Sequence, residues 1–230
     1  MKRFIVASLI GIGAVPSFAT TLVDIKLDQQ INIGLGDAIY SQSGDATLSF
    51  VDDGTDKFAR SSLKGGSWYY SPRIDLVKAG IGAISIADPL TVLSIDLRYF
   101  QGGDNTNPYG DAPVFLRLYT YEGTVLRGYR DFGIIYGPNM KTDPDKYPNW
   151  KTVQVFLNDS TKNTYTDTNS SGSGFDIGAV NQIRFYGTDW AGKGQDFMDA
   201  KNLKVETVPE PATMAVLGLG VLALIKRRRK

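Results

Sequence analysis

Hydrophobic and polar residues alternate with a period of two in short runs along most of this chain. In TVLSIDLRYF, 91–100, Leu93, Ile95, Leu97 and Tyr99 fall on one side and Ser94, Asp96 and Arg98 on the other, the pattern of a half-buried strand. PVFLRLYTY, 113–121, sets Val114, Leu116 and Leu118 against Phe115, Arg117 and Tyr119. WKTVQVFL, 150–157, sets Val153, Val155 and Leu157 against Thr152, Gln154 and Phe156, and NQIRFYG, 181–187, sets Ile183 and Phe185 against Arg184 and Tyr186. LVDIKLD, DATLSFV, SWYYSP, IGAISI, GTVLRGY, FGIIYG and KNLKVE add weaker strands. Between them lie turn sequences such as DDGTD, KGG, YGPNMKTDPDKYP and WAGKGQD, rich in the residues that reverse a chain. FDIGAV, 175–180, has room for one helical turn, and no longer amphipathic helix is present. About ten short strands with frequent turns predict an all-β, antiparallel sandwich of jelly-roll type.

The ends are different. MKRFIVASLIGIGAVPSFAT opens with Lys2 and Arg3, continues with an apolar run and reaches Ser17-Phe18-Ala19. This is the layout of a secretory signal peptide, residues 1–19, cut before Thr20. At the other end, 212–225 is an apolar segment that predicts a hydrophobic helix, shorter than the roughly 20 residues of a membrane span. KRRRK follows it, a basic stop that holds this end in the cytoplasm. The domain between the two is expected to cover 20–207.

That division changes the charge. The whole chain has 25 basic and 24 acidic residues, but 20–207 holds 18 basic and 23 acidic ones, a net charge of −5. An acidic domain does not suit nucleic acid, whose phosphates demand clustered Lys and Arg. The chain has no cysteine and no histidine. That excludes disulfides, thiol nucleophiles, Ser-His-Asp catalysis and the usual zinc or iron sites. Oxygen-ligand metals remain open, and most of the acids are Asp, the short carboxylate of turns and calcium sites.

Pro209, Glu210 and Pro211, the apolar run and the basic stop resemble the PEP-CTERM sorting signal, which would then occupy 208–230. The resemblance implies export in a Gram-negative bacterium that makes extracellular polysaccharide. It further implies transient anchoring in the inner membrane and removal of the tail by an exosortase. It implies nothing about the activity of the domain it carries.

The stretch FDIGAVNQIRFYGTDWAGKGQDFMDAKNLKV resembles the closing strands of galactose-binding-like jelly rolls, diffusely and over about 46–206. In many such domains one Ca²⁺ pins an early loop to the last strands. The positions implied here are Asp52, Asp53 and Asp56 with Asp196 and Asp199, the alternative being plain turn aspartates. Separately, one sheet face is expected to collect Arg117, Tyr119, Gln154, Arg184 and Tyr186, with Trp190 at the rim. Aromatic rings stack on sugar C–H faces and planar polar groups read hydroxyls, so this set suggests carbohydrate binding, against burial in the core. Catalysis by a carboxylate pair has little support, since the domain's two Glu, Glu122 and Glu206, fall in a hairpin turn and at the domain's exit. The expectation is a non-catalytic surface or matrix protein that holds extracellular polysaccharide. Its rival is a self-associating structural protein with no sugar recognition.

Overall fold

The computed structural model describes residues 19–41, 46–64, 68–103, 114–135, 149–159, 163, 170–171, 174–188 and 194–208. The alternating runs become twelve strands: β1 (Thr20–Ile25), β2 (Ile39–Tyr40), β3 (Ala46–Asp52), β4 (Lys57–Lys64), β5 (Trp68–Asp75), β6 (Thr91–Gly103), β7 (Val114–Glu122), β8 (Val125–Ile135), β9 (Lys151–Phe156), β10 (Ser170–Ser171), β11 (Gln182–Thr188) and β12 (Gly194–Thr207). They form two antiparallel sheets. Sheet A has the order β3-β4-β12-β6-β9, with β1 also laid against β12, and sheet B the order β10-β8-β7-β11-β5-β2. Both belong to one unit, Thr20–Thr207.

The strand β12 organises sheet A. It pairs with β6 along its whole length, with β4 through Gln195–Ala200, and with β1 through Leu203–Thr207. The change of neighbour coincides with a bulge between Lys201 and Lys204. Asn202 takes a left-handed φ of 54° there, a conformation that asparagine tolerates better than most residues. Its N–H donates to the Lys26 carbonyl at 3.0 Å and its Nδ2 to Asp96 Oδ2 at 2.8 Å, so the bulge ties all three strands together.

The core lies between the sheets. Leu93, Ile95 and Leu97 of β6, Val153 and Val155 of β9, and Met198, Ala200, Leu203 and Val205 of β12 face inward from sheet A. They meet Ile74, Leu116, Leu118, Phe132, Ile183 and Phe185 from sheet B. Each large side chain buried this way contributes about 1.5–3 kcal/mol by the hydrophobic effect. The alternation of 91–100, 113–121, 150–157 and 181–187 is thereby read directly in space for the described side chains.

Four segments differ from the sequence expectation. KFARSSLK was not expected as a strand, yet β4 lies inside sheet A. Its inward positions are Ala59 and the buried Ser61, whose Oγ donates to Ser71 Oγ at 2.8 Å, while Phe58 and Arg60 face outward. The hydrophobic signal is thus weak on the core side and strong on the wrong side. GTVLRGY and FGIIYG fuse into β8, and IGAISI contributes an isolated bridge, Ile84 to Val180, instead of a strand. FDIGAV forms a turn closed by Ala179 N–H on the Asp176 carbonyl at 3.1 Å. No helix occurs among the described residues. The segments expected as a signal peptide and as a hydrophobic C-terminal helix lie outside them.

Gly128 in β8 marks a close approach. A Cβ placed there would sit 2.4 Å from the backbone nitrogen of Phe175. Gly128→Ala should therefore destabilise the sandwich by about 1–3 kcal/mol through forced backbone displacement. Urea unfolding reads this; an unchanged midpoint would mean that segment 174–176 is free to move away.

Candidate functional site

The outer face of sheet B carries two ranks of polar side chains that cross the strands. The first runs Tyr40 (β2), Arg73 (β5), Arg184 (β11), Arg117 (β7) and Asp131 (β8), each in register with the next. The second, one step along, runs Asp75, Gln182, Tyr119 and Tyr129. With neighbouring strands about 4.8 Å apart, five strands carry the first rank across about 19 Å. Like charges placed opposite one another across strands are destabilising, so the arginines need compensation.

Among the described residues they receive it from rings, hydroxyls, the Gln182 amide and the Asp131 carboxylate. Arg117 forks onto Asp131, with Nη2 2.7 Å from Oδ2, and its Cζ lies 3.8 Å from the Tyr129 ring centroid. Burial alone would lower the Arg117 pKa; the hydrogen bonds to Asp131 and Tyr119 outweigh it and the pKa is raised. Arg184 donates to Gln182 Oε1 and to the Tyr121 hydroxyl, both at 2.5 Å, and to the Tyr119 hydroxyl at 2.9 Å. Its Cζ stacks 3.7 Å from the Tyr119 ring. Arg73 Nη2 reaches Gln182 Oε1 at 3.2 Å, and Gln182 Nε2 donates to the Tyr40 hydroxyl at 3.0 Å. Gln182 is the hub, accepting from two arginines and donating to a tyrosine.

At the β2–β5 side the face opens into a cleft of about 620 Å³. Arg73, Gln182 and Asn181 line it together with Tyr40 and Tyr121, and Leu35 and Val77 add apolar lips. Leu35 is 56% and Val77 48% exposed. Asn181 fixes the Tyr121 backbone from both sides, with Oδ1 accepting its N–H at 3.0 Å and Nδ2 donating to its carbonyl at 2.6 Å. Burial pushes the Tyr121 pKa up, with Arg73 pulling the other way, so its hydroxyl stays protonated at neutral pH. The cleft offers aromatic walls, planar amide and guanidinium groups, and a hydroxyl.

Of the residues singled out for sugar contact, Arg117, Tyr119 and Arg184 come together on this face. Arg184 and Tyr119 are 4% and 3% exposed, so they position their neighbours from beneath, while Arg117, Tyr121, Tyr129 and Tyr40 are half-buried and nearer the surface. Gln154 is on β9 of the other sheet, exposed and paired with Ser94. Its alternation assigned it to an outward face but could not say of which sheet. Tyr186 is in β11 opposite Phe115, with its side chain outside the described set, as is all of Trp190. Sequence reasoning missed Arg73, Gln182, Tyr40, Tyr121 and Tyr129. The spacings Gln182 to Arg184 and Tyr119 to Tyr121 carry a signal, since both members of each pair fall on one side of a strand.

Four of the five aspartates expected to bind calcium are described, and each pairs with a cationic side chain. Asp199 is fully buried between two guanidiniums, with Arg60 Nε 2.7 Å from Oδ1 and Arg98 Nε 2.8 Å from Oδ2. The hydrogen bond to Asp199 raises the Arg60 pKa. Arg98 also reaches Asp53 Oδ2 at 3.3 Å, and Lys201 Nζ is 2.5 Å from Asp56 Oδ1. Asp52 pairs with Lys57 at 3.2 Å, and the side chain of Asp196 lies outside the described set. The hairpin between β3 and β4 does meet β12, as the resemblance implies, but arginine and lysine supply the positive charge there. No group of three carboxylates converges among the described residues. Arg98 further stacks 4.5 Å from Phe58 and 4.4 Å from Trp150, and these two rings meet edge to face at 5.4 Å. Glu122 pairs with Arg127 and Glu206 with Lys204, on different sheets.

Two outcomes follow for this clamp. Asp199→Ala removes the buried carboxylate that the two partly buried arginines share and should destabilise the unit by about 1.5–3 kcal/mol, read by urea unfolding; a loss below about 0.5 kcal/mol would show that the arginines and the strand pairing do not depend on it. Backbone N–H donors, Gly54 for Asp52 and Asp56 for Asp53, hold both carboxyls below the ordinary value of 3.8. Their contribution to the turn is therefore complete above pH 3.8 and is lost as the pH falls through the lowered values. Carboxyl NMR titration should give midpoints below 3.8 for both, and midpoints at or above it would remove this role.

Comparison with known proteins places the protein-sorting motif of the PEP-CTERM type at residues 207–230. No curated protein sequence matches the chain. Among solved structures, it is similar to the family 30 carbohydrate-binding module of a Clostridium thermocellum cellulosomal cellulase, at 15% identity and a TM-score of 0.47, covering 82% of this chain and 99% of that one. It is similar to the family 11 carbohydrate-binding module from Clostridium thermocellum in complex with a β-1,3-1,4-mixed-linked tetrasaccharide, at 15% identity and 0.44, covering 80% and 95%. A family 29 carbohydrate-binding module complexed with cellulohexaose gives 17% and 0.42, covering 82% and 92%. The structural neighbours are jelly-roll carbohydrate-binding modules, and the chain itself ends in a PEP-CTERM protein-sorting motif.

Proposed function

We propose that this is an exported, non-catalytic surface or matrix protein that binds extracellular polysaccharide on the outer face of sheet B. The observation that carries the reading is the pair of Tyr, Arg and Gln ranks that opens into the Tyr40–Tyr121 cleft. Rings stack on the apolar faces of sugars, and fixed amide and guanidinium groups bond to their hydroxyls. Gln182, Asn181 and Arg184 lock the groups in place, so little ordering entropy is lost on binding. A polymer offers many copies of its repeat, so weak single contacts gain from avidity.

In this reading the sandwich, 20–207, has galactose-binding-like jelly-roll topology and follows a signal peptide at 1–19. The sorting motif supports export in a Gram-negative bacterium, a transient stay in the inner membrane through 212–225, and processing by an exosortase.

The test titrates the full chain, in mild detergent, with a panel of neutral and acidic polysaccharides. Tyr40→Ala and Tyr121→Ala should each weaken binding about tenfold with the melting temperature checked alongside. No binding to any polymer sinks the reading and moves the weight to a self-associating structural protein. Binding that survives both substitutions but is lost in Trp150→Ala would place the site on sheet A instead.

A further inference from the structure

Two cationic side chains meet over one ring in the cleft. Arg73 Cζ lies 5.1 Å and Lys78 Nζ 5.3 Å from the centroid of Tyr40. They come from different local structures, Arg73 from β5 and Lys78 from the turn that follows it. Asp75 Oδ1 accepts the Lys78 N–H at 3.0 Å and so fixes where the lysine leaves the backbone. Both cations line the cleft, together with one carboxylate, Asp75. In a domain with a net charge of −5, two positive heads held at one ring are a local reversal of sign. An anion bound in the cleft is attracted by both.

We infer that the cleft takes a sugar ring bearing a carboxylate, as in a uronic-acid polymer, with Arg73 and Lys78 holding the acid group. This rests on the sheet B face being the sugar site. The guanidinium fork matches a carboxylate and the ammonium adds a point charge. Asp75 and the Tyr121 hydroxyl then face the ring's hydroxyls, for which an acceptor and a donor are both useful. A neutral sugar satisfies the second set and leaves the first idle.

The test compares polygalacturonate and alginate with the same polymers after reduction of their carboxyl groups to primary alcohols, using the full chain in mild detergent. Cellulose-type and mixed-linked glucans serve as neutral references. The acidic forms should bind about tenfold more tightly than the reduced ones, and added salt should narrow that gap. Lys78→Gln should abolish the preference, Lys78→Arg should keep it, and Lys26→Gln, at an exposed position on sheet A, should leave it unchanged. Equal binding of acidic and reduced polymers, a preference that survives Lys78→Gln, or binding confined to the neutral glucans would each overturn the inference and leave the polysaccharide reading standing. Binding to none of the polymers overturns both.

Discussion

Asp199 is the constraint around which sheet A is arranged. A carboxylate with no exposure has lost its hydration, and only well-aligned partners offset that loss. Arg60 from β4 and Arg98 from β6 do so from opposite sides of β12. The three residues occupy one register position on three adjacent strands, so a slip of either neighbour by one residue would turn an arginine toward the core and leave the charge bare. The same clamp reaches beyond the sheet. Arg98 takes Asp53, and the hairpin between β3 and β4 is held down over Phe58 and Trp150. Inward of this layer, Ala59, Leu97 and Ala200 pass the registration on to the core and so to sheet B.

The two outer faces use similar residue types to different ends. On sheet A cations from β4, β6 and β12 meet carboxylates of the β3–β4 hairpin and of β12. On sheet B, among the described residues, Arg117 forks onto Asp131, and Arg73 and Arg184 bond to Gln182 and to tyrosine hydroxyls. The cleft at one end of these ranks is why the binding proposal lies on sheet B while the aromatic and charged cluster on sheet A is read as structural.

The sequence revealed much of the fold wherever the inward side chains are large. Leu93, Ile95 and Leu97, or Leu116 and Leu118, announce their strands and their buried sides. Strand β4 is hidden because the volume at its inward positions is Ala59 and Ser61, while Phe58 packs outside under Trp150 and Arg98. The site was half legible for a related reason. Period two says that Arg117, Tyr119 and Arg184 point away from the core, but strand neighbours decide which outward residues share a face. Hence Gln154 was grouped with them although it sits on the other sheet, and Arg73 and Gln182, beside them in space, were passed over. Asp53 of the early hairpin and Asp199 of β12 share Arg98, a strand β6 residue that no local sequence pattern ties to either aspartate.

The pairing of β1 with β12 has a mechanical consequence. Thr20 is opposite Thr207, with the Thr20 N–H on the Thr207 hydroxyl oxygen at 3.2 Å, so the first and last strands enter and leave the sandwich side by side. A pull along the chain beyond Thr207 loads β12 lengthwise between β1 and β6. The ladders on its two sides then carry that load in shear, many bonds at once, rather than opening one after another from an end. A polymer gripped on the opposite sheet would therefore strain against a strand laced to three neighbours.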